Sequence, residues 1–192
     1  MVDGEELVRL SSLELAISAS QDTAYDKGLD QPDSMSPCMK QFDARVTWQR
    51  AGQPVLDGRY SRAHAWQFDG GLTVPASSSP LSVPLPMSDP AAVDPEEALV
   101  AAASSCHMLF FLAISAQQGF VVERYDDAAR GLLGPDTAGR TAMVRIELNP
   151  SIAFAGERRP DARELAAIHH LAHERCYIAN SLTTEIVILE NA

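Results

Sequence analysis

Three cysteines stand in a chain of 192 residues. Cys106 sits between Ser105 and His107 inside a long apolar run, Cys176 follows Glu174-Arg175, and Cys38 falls in an acidic leader. An odd number of cysteines makes no disulfide framework. The start, Val2-Asp3-Gly4-Glu5-Glu6, lacks the basic region of a signal peptide. A reducing cytoplasm is therefore expected, where a conspicuous cysteine is more often reactive or metal-binding than structural. Cys106 reads either as a small core residue or as a thiolate nucleophile, and the second role needs a nearby positive charge. His107 is its neighbour in sequence but points about 100° away on a helix. Arg59 and Arg62, just after Asp57-Gly58, are the alternative source of charge; otherwise they are solvated strand residues.

Glu96 and Glu97 invite two readings as well. Both suit the positive end of a helix, and Glu96 could instead orient an arginine beside the thiol. Glu96 precedes Cys106 by ten residues, about 15 Å along one helix. The two cannot share a compact site within one helix copy, so joint service of one thiol requires two antiparallel copies side by side, hence a dimer. His169 and His173 form an i, i+4 pair with Cys176 three residues on. That spacing suits a metal, but no convincing further ligand accompanies it and the zinc signature is incomplete. That set is therefore weak support for a metal, and Gly-x-Gly-x-x-Gly, a Walker-type lysine and a Gly-x-Ser-x-Gly elbow are all missing from the sequence. A net charge of -11 makes a poor grip for phosphates and repels an anionic bilayer, which argues against nucleic acid and membrane as partners.

The elements that must position these residues fall into an acidic leader, residues 1–38, and a domain, residues 39–192. The leader holds a short helical pattern from Glu5 to Ser18 and then turn-formers, and reads as a flexible tail. From Phe42 the pattern has period two: Phe42, Ala44, Val46 and Trp48, then Tyr60 to Phe68, then Leu72 to Ala76, which predicts an antiparallel meander. Residues 74–95 hold six of the twelve prolines together with Val83, Leu85 and Met87, and read as an ordered loop, a candidate lid. Asp94-Pro95-Glu96-Glu97 predicts a helix start and Gly119 its stop. Between them the run is apolar or small almost all round, which predicts a helix buried on all sides in a core or at a subunit interface; Ser104, Ser105 and His107 and the missing basic flanks weigh against a membrane span. Two strands, 121–132 and 141–155, a helix opened by Pro160-Asp161 and ending near Cys176, and a last strand at 182–189 complete an α+β order with antiparallel sheets.

Two segments now resemble a known family. Asp94-Pro95-Glu96-Glu97-Ala98 through Ala103-Ser104-Ser105-Cys106-His107, with Glu174-Arg175-Cys176-Tyr177-Ile178-Ala179-Asn180-Ser181, is similar to the OsmC/Ohr family of thiol-dependent hydroperoxide reductases. The likeness spans about residues 40 to 190. It implies an OsmC-like fold, antiparallel sheets around a buried central helix, in an intertwined homodimer with two sites at the interface. Gly58-Arg59-Tyr60-Ser61-Arg62-Ala63 resembles the segment that bears the active-site arginine in the Ohr branch, so Arg59 is the matching position and Arg62 the alternative. In the OsmC branch the arginine lies in the loop before the helix, and residues 74–94 contain none.

The activity implied is a peroxidase without metal, haem or flavin, serving oxidative stress defence. Cys106 as thiolate attacks the peroxide and becomes a sulfenic acid, Arg59 held by Glu96 assists, and Cys176 closes a disulfide with Cys106. An external dithiol, by likeness a lipoyl-bearing protein, then reduces it. Phe110, Phe111, Trp66, Val83, Leu85 and Met87 would form an apolar mouth that favours organic over hydrogen peroxide. The rival from another class is a binding protein, holding a metal through His169, His173 and Cys176 or a small apolar ligand. A thiol hydrolase using Cys106 with His107 lacks an orienting acid.

Overall fold

The structure, a computed structural model, describes residues 39–189. The leader 1–38, with the helical pattern at Glu5–Ser18 and Cys38, lies outside the described residues. Three short strands come first: β1 (Ala44–Thr47), β2 (His64–Phe68) and β3 (Thr73–Ala76), paired antiparallel in that order. The period-two reading holds for the pairing, with Val46 opposite Trp66 and Trp66 opposite Val74. It fails for burial, because every residue of β1 is exposed in the single chain.

The helix α1 (Pro95–Gln117) has the bounds its caps require. The Asp94 carboxylate accepts from the Glu97 N–H at 2.8 Å while the Glu97 carboxylate accepts from the Asp94 N–H at 3.4 Å, a reciprocal capping box. Gly119 ends the helix at φ +80°, a left-handed turn that a side chain resists. Two strands were expected next; four form: β4 (Val121–Asp127), β5 (Arg130–Pro135), β6 (Thr141–Leu148) and β7 (Pro150–Ala155). The break after β6 falls at Asn149, whose N–H donates to the Asp127 carboxylate at 2.7 Å. That tie turns both chains at once, so β4 pairs β7 while β5 pairs β6, both antiparallel. The helices α2 (Ala162–Arg175) and α3 (Tyr177–Ser181) meet at Cys176, and β8 (Glu185–Ile188) joins β6 in the one parallel pairing among the named strands.

α1 lies against α2, α3, β4, β5 and β6. One face enters a cluster of Phe111, Ile114, Phe120, Ile168 and Ala172, and another joins Ala103 to Ile146 and Leu148. Gly131 allows the close approach on β5: a Cβ there would stand 2.5 Å from the Met143 sulfur and 2.7 Å from Val100. By length and composition α1 could cross a membrane. Its buried polar side chains, His107 and Ser115, and its packing inside the domain make it a core helix instead. The expectation was burial in a core or at a subunit interface, and in the single chain one stripe of α1 meets no core. Glu97, Ala101, Ser105, Leu109 and Ala113, spaced four apart, form an exposed stripe, with Leu109 63% exposed.

The proline-rich segment, residues 77–94, is ordered and tied at both ends. Ser77 N–H donates to Val93 O at 3.0 Å, Val93 N–H to Pro75 O at 3.1 Å, and Asp89 N–H to the Ser77 hydroxyl at 3.0 Å. Arg62 N–H donates to Met87 O at 2.7 Å, which fixes the segment to the meander's approach to β2.

Candidate functional site

Cys106 is half-buried near the middle of α1, on the side that meets α2 and α3. Cys176 is the last cap of α2 and the first of α3, with extended backbone at ψ 110° and no exposure to solvent. Both are free thiols, and their side chains lie within hydrogen-bond reach of one another. The Cys176 sulfur also accepts the Ala179 N–H at 3.4 Å. That amide favours the thiolate, yet burial and the neighbouring Cys106 outweigh it and push the Cys176 thiol up to about 11. Two thiols on separate helices, joined across one seam, can exchange between dithiol and disulfide without any backbone travelling far.

His107 is buried and faces α2, about 100° round α1 from Cys106. Its Nε2 shares a 3.0 Å hydrogen bond with Nδ1 of His169, and the two rings stack with centroids 5.4 Å apart. Burial lowers both imidazoles to about 4, so both are neutral at pH 7. This pair was not foreseen. The spacing of His169, His173 and Cys176 was read for a metal, whereas His169 bonds another histidine across the helix seam. Among the described residues no group of three or more His, Cys, Asp or Glu side chains stands close enough to hold a metal ion.

The arginines separate clearly. The Arg62 guanidinium is occupied: it donates to Gly58 O at 3.0 Å and to Tyr60 O, and lies 3.6 Å over the Tyr60 ring. Tyr60 in turn meets Trp48 edge-on at 5.5 Å, and the Trp48 indole donates to Ser61 O at 2.9 Å. Arg62 is thus part of the meander's scaffold. Arg59 is exposed, held by its own N–H on the Asp57 carboxylate at 3.0 Å.

Glu96 lines a cavity of about 620 Å³ together with Leu81, Val100, Ser104, Met108 and Arg130. Cys106 is not on its wall. Within one chain the structure therefore brings together Cys106 and Cys176, and brings neither Glu96 nor Arg59 to them. The expected apolar mouth needs one correction. Phe111 is fully buried, packed on Tyr125 and Phe154, so it lies in the core and meets no substrate. Phe110 stays half-buried and packs edge-on against Tyr177 at 5.2 Å.

Residues 88–190 match the family model described as OsmC-like protein. No curated protein matches the chain. Among solved structures, an OsmC-like protein of unknown function from Vibrio cholerae is 50% identical, with a TM-score of 0.77 over 79% of this chain and 99% of that one. An organic hydroperoxide resistance protein from Elizabethkingia anophelis aligns at 15% identity and TM-score 0.59 over 80% of this chain and 96% of that one. An organic hydroperoxide resistance protein from Legionella pneumophila aligns at 14% identity and TM-score 0.56, over 78% and 94%. The last two share the fold. With the family model covering most of the folded region and half the residues identical to a relative matched over almost its whole length, this chain is a member of the OsmC-like family.

Proposed function

We propose that this protein is a cysteine-based peroxidase that reduces organic hydroperoxides and works as a homodimer in the cytoplasm. The observation that carries the reading is the pair of free thiols joined across the seam, one half-exposed and one sealed. In the first step the Cys106 thiolate attacks an oxygen of the peroxide bond. The O–O bond breaks, an alkoxide leaves, and Cys106 becomes a sulfenic acid. Arg59 supplies charge to the leaving oxygen, with Glu96 holding the guanidinium. In the second step Cys176 displaces the sulfenic oxygen as water and closes the Cys106–Cys176 disulfide. An external dithiol returns both cysteines to thiols, and a lipoyl-bearing protein is the reductant by family likeness. No metal or other cofactor enters these steps.

The dimer accounts for what a single chain leaves incomplete. The exposed stripe Ala101, Ser105, Leu109, Ala113 on α1 suits a second copy of the same helix, laid antiparallel. In that arrangement Glu96 and its cavity approach Cys106 of the partner subunit, and the exposed meander carries Arg59 toward the interface. Leu81, Val83, Leu85 and Met87 of the proline-rich segment then form the apolar side of the mouth. The test is steady-state consumption of an organic hydroperoxide with lipoyl and thioredoxin reductants compared side by side. Turnover with either is expected. Failure with both, and no loss of thiol on mixing with the peroxide alone, returns the protein to the binding class.

A further inference from the structure

One face of α1 carries Ala103, Cys106 and Phe110, at i, i+3 and i+7. Three consecutive residues at the α2–α3 junction meet that face. Cys176 brings its sulfur within hydrogen-bond reach of the Cys106 thiol. The Tyr177 ring meets Phe110 edge-on, with centroids 5.2 Å apart. Ile178 packs against the buried cluster of Ala103, Ile146 and Leu148. The thiol pair is thus bracketed along the α1–α3 seam, by a core contact on one side and an aromatic pair on the other. The two brackets differ in what they give the fold. Ile178 is half-buried in the domain core. Tyr177 stays 69% exposed, so its ring adds little burial, yet it follows Cys176 directly in the chain and reaches across the seam.

Cys176 needs such a hold. It sits between two helices with extended backbone, and α3 spans five residues, too few to stand as a helix on its own in water. The Ala179 N–H at 3.4 Å ties the Cys176 sulfur to α3, not to α1. What sets the distance between the two sulfurs is therefore whatever holds α3 on α1. Ile178 anchors α3 in the core, and without a second contact the start of α3 can pivot about that anchor. We propose that the Phe110–Tyr177 pair is a clasp that stops this pivot and raises the effective concentration of the Cys176 thiol at Cys106 in the resolving step. Neither ring touches a reacting atom, so both are positioning residues. The chemistry of the step is unchanged: Cys176 displaces the sulfenic oxygen as water, and the clasp acts only through where the Cys176 sulfur stands.

The proposal rests on the peroxidase reading and deepens it by naming what positions the resolving thiol; its test uses no peroxide. A dipyridyl disulfide reacts first with the half-exposed Cys106, releasing one thiopyridone and leaving a pyridyl mixed disulfide. The Cys176 thiol then attacks the Cys106 sulfur, the bond to the pyridyl sulfur breaks, and a second thiopyridone leaves with the Cys176 proton. An edge-on aromatic pair accounts for about 2–10-fold in an equilibrium. Tyr177→Ala is therefore expected to slow the second release by that factor while the first, at Cys106, keeps its rate. The equilibrium of the Cys106–Cys176 disulfide with dithiothreitol should shift toward the dithiol by the same factor, which a merely structural role would not move. Tyr177→Phe keeps the ring and should match wild type in both measurements. Phe110→Leu should slow the second release as Tyr177→Ala does, and the double variant should be no slower than either alone. Leu132→Ala, which trims a 42% exposed side chain on β5, should match wild type. Tyr177→Leu, closer in bulk, repeats the test, with the fold of each variant checked by thermal melting. A wild-type second release in either folded Tyr177 truncation overturns the proposal, and so does a Tyr177→Phe as slow as Tyr177→Ala. A lowered melting temperature with release and disulfide equilibrium unchanged reduces the pair to packing and overturns it as well. Should the release slow as expected while no organic hydroperoxide oxidises Cys106, the clasp stands and the peroxidase reading falls.

Discussion

At the α1–α2 seam one chain brings both thiols together and seals the second from water. At the β1–β3 meander the same chain leaves β1 exposed and the Arg59 guanidinium in solvent, while Glu96 faces a cavity without a thiol. The seam is made by local and helix–helix contacts that a single copy completes. The meander and the α1 stripe present apolar surface, Val46 at 66% and Leu109 at 63% exposed, that a single copy leaves wet. The contrast divides the proposed chemistry. In the proposed function, disulfide exchange would belong to one chain, whereas peroxide activation would need two.

The largest expected effect attacks the seam. Cys106→Ser should abolish peroxide reduction in a steady-state assay, whereas Cys176→Ser should allow one turnover and leave a sulfenic acid that a dimedone label detects at Cys106. Nearly as large is the test of the other half. Cys106→Ser and Glu96→Ala subunits should each be inactive as homodimers, but a co-expressed and purified heterodimer should regain activity, since under the cross-subunit arrangement one of its two sites combines neither defect. A heterodimer as inactive as its parents reduces Glu96 to a helix-start carboxylate. Arg59→Ala should lower kcat/KM by about 10²-fold, the usual cost of removing one donor to a developing oxyanion. Arg62→Ala should instead lower the melting temperature, because its guanidinium ties Gly58, Tyr60 and the Tyr60 ring.

Stability should follow the histidine seam with pH. In the folded chain His107 and His169 titrate near about 4 rather than 6.5 because burial disfavours the imidazolium. Between those values the unfolded chain binds more protons, so their stabilisation is complete above about pH 6.5 and fades as the pH falls toward 4. The loss from His107 alone is about 3 kcal/mol, read as a fall in melting temperature between pH 7 and 4.5 that is shallower in His107→Gln. The smallest effect is expected at the leader. Removing residues 1–38 should leave activity and melting temperature unchanged, since the segment is acidic and turn-rich beyond Ser18 and holds no residue of the proposed site.

Legibility in the sequence followed how local each cause was. The bounds of α1 and α2 could be read because Asp94 with Glu97, and Asp161 with Glu164, cap within four residues. The break that makes four strands from two could not, because Asn149 is turned by Asp127, far away in sequence. Phe111 was read at a substrate mouth because α1 is apolar nearly all round, and such a helix does not announce which face meets the core. The two cysteines stood out only through the family resemblance of their segments, and their closeness across the seam is seen in the structure. The His107–His169 bond was not, because an i, i+4 histidine pair looks the same whether it waits for a metal or for a side chain from another helix.

The central claim is that Cys106 takes oxygen from an organic hydroperoxide and Cys176 resolves it. One equivalent of cumene hydroperoxide, added to the reduced protein without any reductant, tests this by intact-mass and peptide mass spectrometry. Consumption of the peroxide, loss of two hydrogens per chain, and a single cross-linked peptide pair joining Cys106 to Cys176 are expected. Peroxide left unconsumed with both thiols intact, or oxidation that stops at Cys106 while Cys176 remains a thiol in the wild-type protein, would contradict the claim.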